Sequence, residues 1–447
     1  MLVVVSIWTI SQAVGQSRGD AGPDLVVINM ADTHSAYDAY PRILSGAAAI
    51  AEEYAAVEVV FLFNGDLFEL GNAAARKSAG RADWEFLRRL GAYGAVVINV
   101  GNHEFDFVTP DEFVATARRY GATVIGTVAT VDNPELTPPS TDLVVAGRRL
   151  RIIGVGTDSL NTYPQALRDS LSIPDPLAWV AANWSDVSAG ADYTILASHA
   201  GLTTDLAILE TVAGDDSILF AVGGHDHIVV RDTIAGIPYM HNGFRGERFN
   251  VTEIYPSSPA EVRFRDVVTA EIAEEDAAML NEVAAVRSRY LEAEDVRVVG
   301  TVAADMTVLE GAMWAVETVR SATGADVVFL NHTSFGSGLV AGALPRYRFD
   351  QFMRFDNDVM RATVDAATVR TILSRSNQHT MGDAAARSGD FLYSNAVSVV
   401  DGRSYDIVTS SWVALDFNQM GYLGVEVAFE ALPEVTTKGI LLEALRD

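Results

Sequence analysis

The sequence has no cysteine among its 447 residues, and its only lysines are Lys77 and Lys438. Without cysteine the chain cannot form disulfides, thiolate zinc sites, iron–sulfur clusters or a cysteine nucleophile, so any metal ion must be bound by His, Asp, Glu, Asn or the main chain. The 32 basic residues are outnumbered by 59 acidic residues, which gives a net charge of −27. Because such a surface repels phosphate backbones, we expect no nucleic-acid partner.

Long hydrophobic runs are also scarce. Residues 2–10 are mostly apolar, and small and polar residues follow with Ala13-Val14-Gly15, a triplet that suits a signal peptidase. The run is too short to cross a bilayer as a helix, and no later segment reaches that length, so we expect no stable membrane span. We predict a signal peptide and linker over residues 1–24, and hence a periplasmic, cell-surface or secreted protein. Because no basic segment precedes the run, a cytoplasmic location is the alternative.

The remaining chain alternates apolar runs with helical patterns. Hydrophobic residues make up 49% of the chain, which is enough for two domains with their own cores. Strands that are apolar throughout are typical of sheets covered by helices. We predict strands at residues 25–30, 57–63, 95–100, 122–125, 150–155, 193–197 and 218–222. We predict helices at residues 42–54 and 110–120, the second with Thr109 as its N-cap, Pro110 in its first turn and Glu112 as the capping-box partner.

The domain organisation follows from a change of pattern after residue 255. A charged stretch from about 270 to 293 is rich in Glu and Ala, lacks Gly and Pro, and has apolar residues at helical spacing. Beyond it a helix ending near Gly324 is followed by a strand at residues 326–330. We therefore predict a first α/β domain at residues 25–255, a linker with a helix at 256–295, and a second α/β domain at 296–447.

Polar side chains with metal-binding or acid–base chemistry follow the predicted strands of the first domain. The segments are Asp32-Thr33-His34, Gly65-Asp66, Gly101-Asn102-His103-Glu104 with Asp106, Ser198-His199, and Gly223-Gly224-His225-Asp226-His227. The carboxyl ends of strands are where an α/β sheet presents functional groups, and the glycines permit sharp turns and close approach. A single segment of this kind is commonly a loop histidine or a capping aspartate, but five in series indicate a functional site.

The residue types at these strand ends point to divalent metal ions. Imidazole mixed with carboxylate and amide oxygens suits Mn, Zn, Co or Fe. Asp32, His34 and His227 could bind one ion, and Asn102, His199 and His225 a second, with Asp66 bridging them. In extended backbone His225 and His227 would point to opposite sides, which favours different ions for the two imidazoles.

The order of these segments resembles that of the calcineurin-like metallophosphoesterases, and the second domain makes the chain similar to the 5'-nucleotidase and UDP-sugar hydrolase group among them. The resemblance implies a four-layer α/β/β/α domain followed by an α/β 5'-nucleotidase-type domain, and two divalent ions held by the ligands above. It also implies that His103 paired with Asp106 is the catalytic dyad. A carboxylate partner fixes such an imidazole and raises its pKa. Glu104, Asp226 and His241 are candidates for orienting the ligands.

In that group the second domain binds the substrate, and this chain matches its motifs imperfectly. Asn331 fits the start of the first motif, but Gly336 stands where a phosphate-binding Arg is expected. The resemblance places Phe335, Arg354 and Phe355 beside the substrate. Trp412 takes the position of a second aromatic, and Asn418-Gln419-Met420-Gly421 replaces a Gly-Gly-Asp-Gly turn. Phe355 and Trp412 could stack a nucleobase, or they could be ordinary core aromatics. We expect His332 and His379 to be loop or surface residues.

The function that the resemblance implies is a two-metal phosphohydrolase acting on a small phosphoester, a nucleotide-like phosphomonoester. The altered motifs of the second domain leave open a sugar-nucleotide or cyclic-nucleotide phosphodiesterase of the same family. A protein that binds nucleotides or solutes without catalysis is a third interpretation, although every metal ligand of the pattern is present.

Overall fold

The computed structural model describes residues 22–255, 260–381 and 383–446. Residues 1–21 of the predicted signal peptide and linker lie outside these residues. The chain divides into two compact units, the first formed by residues 22–70 and 74–290 and the second by residues 71–73 and 291–446. Among the described helices, none is both long and apolar enough to cross a membrane.

The first unit contains two six-stranded sheets and the helices that flank them. Its strands are β1 (Leu25–Met30), β2 (Glu58–Asn64), β3 (Ala95–Asn99), β4 (Ala122–Ile125), β5 (Ala129–Thr130), β6 (Ser140–Val145), β7 (Arg148–Gly156), β8 (Leu171–Ser172), β9 (Tyr193–His199), β10 (Ile218–Gly223), β11 (Val229–Ile234), β12 (Ile237–Asn242), β13 (Arg248–Tyr255) and β14 (Glu261–Val268). The helices up to residue 290 are α1 (Tyr40–Glu53), α2 (Ala73–Ser78), α3 (Arg81–Leu90), α4 (Pro110–Arg119), α5 (Pro176–Val187), α6 (Leu202–Thr211) and α7 (Ala277–Tyr290).

The two sheets pack face to face. The first has the order β14-β13-β1-β2-β3-β4, in which β1 to β4 are parallel, and the second has the order β11-β12-β10-β9-β7-β6, in which β12, β10, β9 and β7 are parallel. Val27 and Leu62 of the first sheet share one buried cluster with Ile152, Ile195 and Val222 of the second. Helices α1, α3 and α7 pack together on the first side, and α5 and α6 on the other. This is the α/β/β/α arrangement that the resemblance implied.

The predicted strands correspond to β1, β2, β3, β4, β7, β9 and β10, with ends that differ by at most two residues. The predicted linker at residues 256–295 differs from the structure. Strand β14 pairs antiparallel with β13 and extends the first sheet, while α7 packs against α1 and α3, so both belong to the first unit. The alternating, partly polar pattern of β14 explains the difference, because only one face of an edge strand is covered.

The second unit is a mixed α/β structure. Its strands are β15 (Val298–Val302), β16 (Val327–Asn331), β17 (Gly342–Pro345), β18 (Asp358–Asp365), β19 (Leu392–Ser394), β20 (Ser404–Ser410) and β21 (Glu430–Thr436). Its helices are α8 (Ala293–Val296), α9 (Val308–Thr323), α10 (Arg346–Phe352), α11 (Ala366–Ser374), α12 (Ser411–Ala414), α13 (Asp416–Tyr422) and α14 (Thr437–Ala444). The main sheet has the order β19-β16-β20-β18-β21, with β16 and β20 parallel. Val327, Phe329 and Ile407 lie in its core.

The predicted start of α4 provides a stability test. The Thr109 hydroxyl accepts a hydrogen bond from the backbone N–H of Glu112, and the Glu112 carboxylate accepts one from that of Thr109 at 2.9 Å. We expect Thr109→Ala to lower the free energy of unfolding by about 1 kcal/mol, as loss of an N-cap does. Thr116→Ala, inside the same helix, is the control and is expected to change it by less than about 0.5 kcal/mol. Equal effects of the two variants in urea unfolding would contradict a capping role.

Candidate metal centre and active site

The predicted metal ligands occupy loops that follow parallel strands of both sheets. The first sheet contributes Asp32 and His34 after β1, Asp66 after β2 and Asn102 after β3, and the second contributes His199 at the end of β9 and His225 and His227 after β10. Because the sheets face each other with these ends together, the loops converge on one place. The His34 and His227 imidazoles, one from each sheet, approach to 2.7 Å between their Nε2 atoms.

The converging side chains form two groups that share one carboxylate. In each group the potential ligand atoms lie within 4.8 Å of one another, and the groups are Asp32, His34, Asp66 and His227, and Asp66, His199 and His225. The Oδ2 atom of Asp66 is 3.7 Å from Nε2 of His34 and 3.2 Å from Nε2 of His199. Asn102 lies beside the second group, with Oδ1 2.9 Å from Nδ1 of His225. The structure thus brings together all seven side chains that the sequence singled out.

The backbone of these loops is unusual for residues other than glycine. Asp32, His34, Asp66, His225 and His227 all have positive φ, between 47° and 83°. The extended backbone assumed from the sequence for the two nearby histidines is therefore wrong, although they do join different groups. Left-handed conformations of such residues cost about 1–3 kcal/mol each and persist only where surrounding contacts hold them, as they often do at functional sites.

The donor set fits divalent ions. Oδ2 of Asp32 is buried and has no hydrogen-bond partner among the described residues, while Nε2 of His199 faces the Asp66 carboxylate at 3.2 Å. A buried polar atom without a partner is costly, so the Asp32 oxygen within this group indicates a place for a polar ligand. Imidazole nitrogens combined with carboxylate oxygens suit Mn²⁺, Zn²⁺, Co²⁺ or Fe²⁺.

The electrostatics of the cluster point the same way. Burial raises the pKa of Asp32 to about 8, in spite of the nearby imidazole of His199. Burial opposes a charge on His199, but the Asp66 carboxylate prevails and raises the pKa of that imidazole to about 10. Burial, reinforced by His199, lowers the pKa of His225 to about 3. Buried carboxylates at such a centre attract positive charge strongly, which divalent ions would provide.

His103 and Asp106 lie at the edge of this cluster. Nδ1 of His103 is 2.8 Å from Oδ2 of Asp106, and the His103 side chain is 15% exposed. The backbone N–H of His103 donates to Oδ1 of Asp66 at 2.9 Å, and its ring meets that of His34 edge-on at 4.9 Å. The imidazole is therefore oriented by a carboxylate and remains accessible, which are the requirements for a general acid.

Glu104 joins two of the ligand loops. Its buried carboxylate accepts hydrogen bonds from the backbone N–H groups of Leu67 at 2.7 Å, Asp66 at 3.2 Å and Gly101 at 2.7 Å. These contacts tie the loop of the shared carboxylate to the loop of Asn102. Glu104 was a candidate for orienting ligands from its sequence position, and the structure gives the contacts that such a role requires.

Two asparagines that the sequence analysis missed support the site from below. Asn64 donates to the carbonyls of Ser198 and Val222, and its own backbone carbonyl lies 2.7 Å from Nδ1 of His199, which leaves Nε2 facing the cluster. Asn99 donates to Oδ1 of Asn64 and to carbonyls of the second sheet. The available signal was an amide at the end of each apolar strand.

The other two candidates for orienting the ligands, Asp226 and His241, both contact helix α6. Asp226 accepts a hydrogen bond from the backbone N–H of Leu202 at the start of α6, at 2.6 Å. His241 is fully buried with Nε2 3.6 Å from Oδ2 of Asp205. Asp226, which follows β10, and His241 of β12 therefore link the second sheet to α6.

In the second unit, Asn331 lies in a buried polar network at the end of β16. Its Oδ1 accepts from the hydroxyls of Ser334 and Ser410, and its Nδ2 donates to Oγ1 of Thr333. The predicted substrate contact of Phe335 is not consistent with the structure, because this ring is fully buried against Phe352 and Tyr393. His332, expected in a loop or at the surface, lies in a short 3₁₀ turn after β16, where it is buried and stacks on the ring of Phe391 at 4.1 Å.

The other predicted substrate residues of this unit are more accessible or border the same network. Arg354 donates from Nη1 to the carbonyl of Thr333 at 3.1 Å, and its guanidinium lies over the Phe355 ring, which is 39% exposed. Trp412 donates to the hydroxyl of Tyr422 at 3.4 Å. In the described structure Phe355 and Trp412 make no ring contact with each other.

Comparison with known proteins relates the first unit to one family. Residues 25–229 match the family model of the calcineurin-like phosphoesterases, so the first unit contains a calcineurin-like metallophosphoesterase domain. A search by sequence among curated proteins found no match.

Solved structures share the fold over almost the whole chain. A 5'-nucleotidase precursor of Thermus thermophilus has a TM-score of 0.63 at 16% identity, covering 94% of this chain and 96% of the other. The sulfate thiohydrolase SoxB of the same organism has a TM-score of 0.67 at 12% identity (96% and 95%), and the 5'-nucleotidase of Candida albicans has 0.63 at 12% (96% and 98%). At these identities the likeness shows the two-domain fold alone.

The role of Glu104 can be tested by Glu104→Gln. The variant keeps the shape but places an amide N–H₂ against backbone donors, which should cost about 1–3 kcal/mol of unfolding free energy. The exposed Glu135 provides the control, and Glu135→Gln should have no measurable effect. If both variants unfold at the wild-type urea concentration, Glu104 does not hold the loops together.

Proposed function

We propose that the protein is a two-metal phosphohydrolase that removes phosphate from a nucleotide-like phosphomonoester. The observation that carries the proposal is the pair of ligand groups sharing Asp66, with the His103–Asp106 pair at their edge. The calcineurin-like phosphoesterase match of the first unit supports phosphoester hydrolysis. The similarity of fold to two 5'-nucleotidases supports the choice of a nucleotide.

In this proposal the seven ligands divide between two ions. Asp32, His34 and His227 would hold the first, Asn102, His199 and His225 would hold the second, and Asp66 would serve both groups. When bound, two divalent ions supply Lewis-acid charge that neutralises negative charge developing on a phosphoryl group.

His103 supplies the proton chemistry. Because Asp106 lies against Nδ1, the Nε2 atom on the other side of the ring can donate a proton to the leaving oxygen or a hydrogen bond to the phosphoryl group. The Glu104 contacts tie the backbone just before this imidazole to the loop of Asp66, so that it reaches the same place in each turnover.

For the second unit we propose that Asn331, Arg354, Phe355 and Trp412 act on the organic part of the substrate. An exposed Phe355 beside a guanidinium offers a flat surface and a positive charge, which suit a nucleobase or an anionic group. Phe335 is left out of this set because it is fully buried.

A second candidate function is phosphodiester hydrolysis of a sugar nucleotide or cyclic nucleotide. It is favoured by Gly336, which stands at the position where the resemblance implies a phosphate-binding Arg, and by the altered turn at residues 418–421. A catalytically silent binding protein is less consistent with a complete ligand set.

Phosphate release by the full chain tests the proposal. Protein stripped with chelator and reloaded with Mn²⁺ is assayed for phosphate release from nucleoside monophosphates and non-nucleotide phosphomonoesters, and for product formation by chromatography from UDP-glucose and 2',3'-cyclic nucleotides, whose hydrolysis frees no phosphate. We expect metal-dependent release that favours nucleoside monophosphates. Preference for the diesters would support the second candidate, and no turnover on any compound despite bound metal would support a binding protein.

Single substitutions separate the ligands from the acid. We expect Asp66→Ala to lower turnover by more than about 100-fold and to lose bound metal, since both groups lose their shared ligand. His103→Ala is expected to keep two ions per chain and lose about 100- to 10,000-fold in kcat. Asp132→Ala, at an exposed aspartate, should leave both unchanged. Metal content by mass spectrometry of the native protein and initial rates are the measurements, and normal turnover by the Asp66 variant would contradict the proposal.

A further inference from the structure

The loop that carries Asp32 and His34 is strained and needs support from outside itself. Asp32, His34 and Ser35 have φ of 51°, 47° and 48°, in the left-handed region. At about 1–3 kcal/mol each, this conformation would relax unless surrounding contacts prevented it. The position of the His34 imidazole therefore depends on those contacts.

One side of the loop is held by the neighbouring loop after β2. The backbone N–H groups of Asp32, His34 and Ser35 donate to the carbonyls of Gly65, Asp66 and Leu67, at 3.0, 2.9 and 2.8 Å. These bonds fix the main chain but not the segment that leads from the loop into α1.

That segment is held by Asp83, a buried residue in the first turn of α3. The hydroxyl of Tyr37 donates to Oδ2 of Asp83 at 2.9 Å, and the hydroxyl of Tyr40 donates to Oδ1 at 2.8 Å. Tyr37 is 2% exposed, and Tyr40 and Asp83 are fully buried. The Tyr40 ring also stacks on Phe86 of the same helix, with centroids 3.9 Å apart, so the contact is rigid.

The segment is connected to the loop next to His34 through the main chain, because the backbone N–H of Tyr37 donates to the carbonyl of Ser35 at 2.7 Å. Burial raises the pKa of Asp83 to about 7, and the hydrogen bonds from Tyr40 and Tyr37 oppose the shift. Burial beside Asp83 also raises the pKa of Tyr40 well above its ordinary value, so this hydroxyl stays protonated and remains a donor.

We propose that Asp83 is a positioning residue that holds the loop of Asp32 and His34 through Tyr37 and Tyr40, and thereby sets the metal affinity of the group formed by Asp32, His34, Asp66 and His227. The inference rests on the proposed two-metal function. It adds a residue from a helix that contributes no ligand. Two hydrogen bonds to one buried carboxyl group define the tyrosine positions more sharply than apolar packing would.

Metal binding by three variants tests the proposal on the full, chelator-stripped chain. Tyr37→Phe and Tyr40→Phe each remove one hydroxyl and keep the ring, and Asp83→Asn keeps the volume. The control is Tyr54→Phe, which removes a tyrosine–carboxylate bond to Glu253 at the other end of α1. Mn²⁺ titration by calorimetry gives the affinity of each ion, and thermal unfolding of the metal-free protein is followed in parallel.

We expect two Mn²⁺ ions per wild-type chain, and in Tyr37→Phe and Tyr40→Phe a loss of about tenfold or more in the affinity of one ion only. Tyr54→Phe should bind both as the wild type does. If the variants unfold at lower temperature but bind both ions with wild-type affinity, Asp83 only stabilises the fold and the inference is wrong. A wild-type chain that binds no pair of ions would overturn the proposed function together with the inference. Should Asp83→Asn fail to fold, the tyrosine variants decide the matter.

Discussion

The hydrogen bonds of Asn64 and Asn99 join the two sheets of the first unit directly beneath the ligand loops. Both side chains are fully buried, and each amide N–H₂ group reaches carbonyls of β7, β9 or β10 across the sandwich. An amide left without these partners would cost about 1–3 kcal/mol, so the sheets are held in one register at this end. Every distance between a ligand of the first sheet and one of the second depends on that register.

Above these bonds, buried carboxylates outside the two candidate ligand groups accept hydrogen bonds from the loops of the site. Glu104 accepts hydrogen bonds from backbone N–H groups of two loops. Asp83 accepts hydrogen bonds from the hydroxyls of Tyr37 and Tyr40, where a third loop leads into α1. Beside the second sheet, Asp205 of α6 accepts from the hydroxyls of Ser198 and Tyr239, next to His199. In each case a buried carboxylate accepts several hydrogen bonds at once, because its two oxygens can satisfy several buried donors.

The sequence predicted those parts of the fold and site whose physical cause is local. Strands buried on both faces are apolar throughout, so the pattern predicts β1, β2 and β3, and the candidate ligands stand out because Asp, Asn and His follow such strands beside glycines. Strand β14 was missed because an edge strand alternates in polarity. The role of Asp83 depends on which surfaces meet in three dimensions, and no local pattern encodes that. Asn64 and Asn99 each end an apolar strand, but this position does not reveal the carbonyls of the other sheet that they contact. Phe335 was misassigned because an aromatic residue after a strand can equally turn into the core.

The division of the ligands between two sheets has a thermodynamic consequence. His34 and Asp66 come from one sheet and His199 and His227 from the other, so ions held among them would cross-link the halves of the sandwich. Ligand binding to the folded state alone adds RT ln(1 + [L]/Kd), about 4 kcal/mol at a thousandfold excess over Kd. The metal supply would then set the unfolding free energy of the chain as well as its catalytic rate.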